Sequence, residues 1–88
     1  MDYRKTGRLI RKKRKALGYT QKQLSSAMAV TQQAISMWET GHRFPDASAQ
    51  VMLCNVLGLN PAELLTGLEM FDEDLKRDIA EHMNEYAG

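Results

Sequence analysis

The stretch TQKQLSSAMAVTQQAISMWET, residues 20–40, holds two short helix patterns separated by a turn of about three residues. Thr20 has the side chain of an N-cap and Gln23 stands three positions on, which is a capping-box arrangement. Leu24, Ala27 and Met28 then share one face, so a helix is predicted over about 21–28. Thr31 can cap a second helix over about 32–40, with Ile35 and Trp38 pointing inward. Gln32, Gln33, Ser36, Met37 and Thr40 share its outer side, and Gly41 ends it.

Working outward, residues 5–17 repeat Gly7, Ile10, Arg14 and Leu17 at spacings of three and four, which traces one helix face before Gly18 stops it. On the other side, Asp46 caps a helix whose buried stripe is read as Ala47, Val51, Cys54 and Leu57, ended by Gly58. A fifth helix begins at NPAELL, with Asn60 as cap, Pro61 at the first helical position and Glu63 at the third. Thr66-Gly67 reads as its end. Beyond it, Leu68, Phe71, Leu75, Ile79, Met83 and Tyr86 recur at three or four residues, an acidic amphipathic helix over about 72–86. The expected organisation is therefore all-α: a five-helix domain over residues 1–67 and an added C-terminal amphipathic helix within 68–88.

Composition agrees with helices and with one small domain. The chain has 88 residues, of which 43% are hydrophobic and 26% charged, with only 2 Pro and 6 Gly. Its one Cys cannot close an internal disulfide, and its longest apolar runs, 27–30 and 51–54, are far too short to span a membrane. A soluble cytoplasmic protein is the expectation. The net charge of +1 conceals a division: residues 1–45 carry ten Lys and Arg against Asp2 and Glu39, whereas residues 46–88 carry nine acids against Lys76 and Arg77. A basic first half of this kind suits an acidic partner such as nucleic acid.

Two short helices joined by a tight turn, the second with a polar outer face, match the arrangement that lays its second helix in the DNA major groove. The side chains suit that task. A Gln amide both donates and accepts, so Gln32 and Gln33 can pair with adenine N6 and N7, Met37 can press on a thymine methyl, and Ser36 can reach a base or a phosphate. Lys5, Arg8, Lys12, Lys22 and Arg43 are expected to neutralise phosphates, with Thr31, Thr40 and His42 as further backbone contacts. Arg14 and Glu39 lie on apolar faces, where an unpaired charge is costly, so they should pair with each other. Cys54, on its apolar stripe, reads as a small core residue. His42 and His82 are far apart, no His/Cys cluster has metal-ligand spacing, and no Gly-rich phosphate loop occurs, so neither metal, cofactor nor enzymatic chemistry is expected.

Residues 7–67 resemble the phage repressor/Cro-like (XRE-type) helix-turn-helix regulators, in the run GRLIRKKRKALGYTQKQLSSAMAVTQQAISMWETGHRFP and again in VLGLNPAELL. The resemblance implies a sequence-specific double-stranded DNA-binding transcriptional regulator, a repressor acting as a homodimer on a palindromic operator. It implies that Gln21 touches a phosphate and braces Gln32, that TQQ at 31–33 reads base edges, and that Arg14 and Glu39 form a structural pair. The chain also departs from the family. Ala29 stands in a turn that often has Gly, Lys13 where an apolar residue is common, and Glu63 where some members have a large apolar dimer contact. Dimerisation is therefore expected through Leu75, Ile79 and Met83. An alternative reading is an antitoxin-like or adaptor protein whose acidic C-terminal segment binds a protein partner.

Overall fold

A computed structural model describes residues 2–69, and in them the chain is all-helical: α1 (Tyr3–Ala16), α2 (Gln21–Met28), α3 (Gln32–Thr40), α4 (Ala47–Leu57) and α5 (Pro61–Thr66). The expected C-terminal helix and its stripe of Leu75, Ile79 and Met83 lie outside the described residues. Local chemistry explains the boundaries. Thr20 and Asn60 form complete capping boxes with Gln23 and Glu63, and Thr31 and Asp46 accept from the amides of Ala34 and Ala49. Helix α1 starts two residues earlier than its apolar spacing suggests, because the Asp2 carboxylate accepts from the Arg4 amide at 2.9 Å and the Lys5 amide at 3.4 Å.

The core gathers one or more residues from every helix: Leu9 and Ile10, Leu24 and Met28, Ile35 and Trp38, Leu53 and Leu57, and Leu64. Helix α1 runs across the back of α3. It comes so close that a Cβ on Gly7 would stand 2.4 Å from the Trp38 carbonyl oxygen, so only glycine fits there. At the same level the buried Thr6 hydroxyl donates to the Leu64 carbonyl at 2.7 Å, tying α1 to α5.

Five inward assignments, in three helices, need correction. In α4 the buried residues are Ala49, Leu53 and Leu57, not Ala47, Val51 and Cys54; Val51 is 61% exposed and Cys54 is only half-buried. The cause is that α4 has apolar residues at 51–54 and 56–57, so more than one three-and-four series can be drawn through it. Leu17 and Ala27 are exposed as well: Leu17 is the cap residue beyond the last turn of α1, and Ala27 stands about 100° round α2 from the buried Met28. Glu63, at the third position of α5, is buried, and its carboxylate accepts from the Asn60 amide at 3.0 Å, the capping role its position predicts. Among the described residues no helix is long and apolar enough to cross a membrane.

Candidate nucleic-acid interface

The angle between α2 and α3 is set first by the turn. Ala29 takes a left-handed conformation (φ 55°, ψ 40°), the position where glycine is otherwise favoured, at a cost of about 1 kcal/mol. Two bonds hold it there: the Ala29 amide donates to Ser26 O at 3.3 Å and the Val30 amide to Ser25 O at 3.0 Å. Val30 packs partly buried on the core, which places Thr31 at the start of α3.

Behind α3 sits a buried polar bolt. Arg14 Nε and Nη2 donate to the two oxygens of Glu39 at 2.7 and 2.9 Å, and Nη1 donates to the Tyr19 carbonyl at 2.8 Å. Both residues are 7% exposed. Donating to the Glu39 carboxylate raises the guanidinium's proton affinity against the opposing effect of burial. Gln21 joins the same group, its Nε2 donating to Glu39 Oε1 at 3.2 Å. The Gln21 amide group thus braces Glu39, at the end of α3, where the resemblance has it bracing Gln32. The paired charges expected from sequence are therefore together, and they lock the end of α1, the start of α2 and the last turn of α3 into one frame.

That frame turns the other side of α3 outward. Gln32 and Gln33 are exposed, Ser36 and Met37 half-buried, while Ile35 and Trp38 face the core. Thr31 Oγ1 accepts the Ala34 amide at 3.1 Å, which uses an acceptor site and leaves the hydroxyl hydrogen for an outside acceptor. A cleft of about 460 Å3 runs beside the helix, bounded by Gln33, Met37, Arg43, Phe44 and Asp46. At the end of α3 the Thr40 hydroxyl lies 2.9 Å from the Ser36 carbonyl oxygen and 2.7 Å from His42 Nδ1. Thr40 therefore holds the His42 ring beside the end of α3. Lys22 is exposed at the second position of α2, and Arg43 is exposed in the loop after α3.

The structure does not bring Lys5, Arg8 and Lys12 to this surface. They line a separate groove of about 340 Å3 with Leu9, Leu68 and Glu69. Helical geometry gives the reason: Gly7, Ile10 and Arg14 face α3, and Lys5 and Lys12 lie about 140–160° round the helix from Gly7, with Arg8 at about 100°. Lys12 Nζ is 2.6 Å from Glu69 Oε2 and Lys13 Nζ 2.7 Å from Glu69 Oε1, and these two ammonium groups keep the Glu69 carboxyl below its ordinary range. The α1 cation beside the end of α3 is Arg4, whose Cα and Cγ lie 3.0 Å from where a Cβ on Gly41 would stand. Sequence reasoning missed it, although Arg4 falls only about 60° from Gly7 on the helix. It also missed Asp46 as a wall of the cleft and the pairing of Tyr3 with Phe44, whose ring centroids are 5.1 Å apart and which fastens the loop after α3 to the start of α1.

Among the described residues no group of three His, Cys, Asp or Glu is placed to hold a metal ion. The half-buried Cys54 thiol is pushed up by burial and, less, by Glu63.

Comparison with known proteins agrees with this geometry. A search of curated proteins gave no match. Among solved structures the chain is similar to the clp gene regulator ClgR from C. glutamicum, with a TM-score of 0.65 at 24% identity over 76% of this chain and 87% of that one, a likeness of fold. The model of the helix-turn-helix family matches residues 10–64, from the middle of α1 to α5. With that match over more than half its length, the chain belongs to the XRE-type helix-turn-helix family.

Proposed function

We propose that this protein is a transcriptional repressor that binds a palindromic double-stranded DNA site as a homodimer, with α3 of each copy in the major groove. The observation that carries the reading is the two-sidedness of α3. One side is held by Ile35, Trp38 and the Arg14–Glu39 bolt, and the other offers Gln32, Gln33, Ser36 and Met37. A helix fixed this firmly can hold side chains in register with base edges, which is what sequence discrimination requires.

Within this reading Gln32 and Gln33 read bases, Met37 meets a thymine methyl and Ser36 a base or phosphate. Gln21, Lys22, Thr31, Thr40, His42 and Arg43 serve the DNA backbone, joined by Arg4. The test is selection of bound duplexes from a random pool. The expected result is enrichment of one motif repeated in two inverted half-sites about 34 Å apart. Enrichment of no motif would overturn sequence-specific recognition, and a single unrepeated motif would overturn the dimer.

A further inference from the structure

Eight of the 14 residues of α1 are Lys or Arg, and none is Asp or Glu. Three of these cations are already paired, Arg14 with Glu39 and both Lys12 and Lys13 with Glu69. Of the others, Arg4, Arg8, Arg11 and Lys15 stand at i, i+4, i+7 and i+11, which puts all four between about 40° and 100° round the helix from Gly7. All four are exposed, and none takes part in an ion pair among the described residues. They form a ridge about 16 Å long, next to Lys5 and Lys12 on the far flank. The acid at its start, Asp2, is engaged by the Arg4 and Lys5 amides as the cap of α1.

A solvated helix face ordinarily alternates acids and bases three or four apart, because like charges at that spacing weaken the helix. Here four cations follow one another with no acid on the same face, so the ridge forgoes that support. A polyanion laid along it supplies the missing charge. Three of the four are Arg, whose planar guanidinium takes a phosphate through two parallel hydrogen bonds. A DNA strand carries one phosphate for about every 3.4 Å of helix axis, so a ridge of about 16 Å can follow roughly four or five of them.

A duplex held by α3 does not supply those phosphates. Gly7 and Arg14 turn α1 toward the buried side of α3 at Trp38 and Glu39, so the body of α3, about 10 Å across, stands between α1 and a duplex lying against Gln33 and Met37. Only Arg4, in the first turn, comes beside the end of α3. We propose that Arg8, Arg11 and Lys15 are a second DNA site, which holds the backbone of another duplex segment without regard to its sequence. This rests on α3 as the helix that binds the first duplex, and it makes the protein a bridge between a segment that α3 reads and a segment that α1 holds.

Two-colour fluorescence cross-correlation on the full chain tests this. A short duplex with the selected site and one dye is added until α3 is saturated, and an unrelated duplex with a second dye is then titrated in at low salt. The expected result is particles that carry both dyes and that lose the second duplex at a salt concentration which leaves the first one bound. Arg8→Gln combined with Arg11→Gln, both at exposed positions, should weaken capture of the second duplex about tenfold and leave the affinity for the selected duplex and the melting temperature unchanged. The proposal is overturned if the selected duplex binds and no doubly labelled particle forms, or if the double variant captures the second duplex as well as the unmodified chain does. Equal weakening toward both duplexes also overturns it, because the ridge then belongs to the same footprint as α3. So does polyglutamate that displaces the second duplex as well as an equal charge of unlabelled duplex, which assigns the ridge to an acidic protein. A chain that holds neither duplex overturns the reading of α3 and the bridge together.

Discussion

At the scale of single residues, the side chains around α3 divide into those that hold the helix and those that it offers. Gln32 and Gln33 are exposed at its first turn, so truncating either leaves the fold intact and removes a donor-acceptor pair. Gln32→Ala and Gln33→Ala are each expected to lose about 1–3 kcal/mol of discrimination between a selected site and a scrambled one. Lys22→Ala and Arg43→Ala should weaken binding to both duplexes alike. Titrations on the two duplexes separate these classes, and equal losses for the Gln variants would show that they do not read bases. Glu39 behaves differently, because it accepts from Arg14 and Gln21 in a buried site. Glu39→Ala strands the Arg14 guanidinium at 7% exposure and is expected to cost about 3–5 kcal/mol in a urea melt. A loss below about 1 kcal/mol would mean that water replaces the carboxylate.

At the scale of helices, what was legible in the sequence was what local chemistry decides. Thr20, Thr31, Asp46 and Asn60 are caps because a side-chain oxygen accepts an amide two or three residues on, which needs no knowledge of the rest of the fold. The Arg14–Glu39 pair was legible for a similar reason: a charge on an apolar face demands a partner. The buried side of α4 was not, since it depends on which neighbours the helix meets, and its apolar residues permit several answers. Val51→Glu should therefore leave the melting temperature nearly unchanged, whereas Leu53→Ala, at a fully buried position, should cost about 2–5 kcal/mol. Reversal of that order would restore the stripe through Val51. The direction of the basic run in α1 was hidden likewise, because it depends on where α3 crosses at Gly7. Arg4→Gln is expected to reduce the salt slope of DNA binding by about one, and Lys12→Gln to leave it unchanged. Salt titrations of the two variants on one duplex check this, and an effect from Lys12 alone would return the far flank to the DNA surface.

At the scale of the whole molecule, one copy presents one recognition helix. Nine residues of α3 extend about 13 Å, enough for a single half-site, so a palindromic target needs a second copy held at a fixed distance. The described surface offers little for that purpose at Glu63, which is buried and spent on capping α5. The chain carries a better candidate in Leu75, Ile79 and Met83, an apolar series at four-residue spacing extended by Phe71 and Tyr86. The helix expected there from sequence, of about 15 residues, would be marginal in water without a surface to pack on, which is the ground for proposing a second copy as its partner. Light scattering at micromolar concentration is then expected to give twice the 10.0 kDa mass of one chain. Ile79→Glu should return a monomer whose five-helix domain stays folded, with helicity lost only from the C-terminal segment, and with much weaker binding to a two-half-site duplex while binding to a single half-site stays the same. A monomer in the unmodified protein, or an Ile79→Glu variant that melts earlier and keeps its mass, would instead place the series against its own five-helix domain.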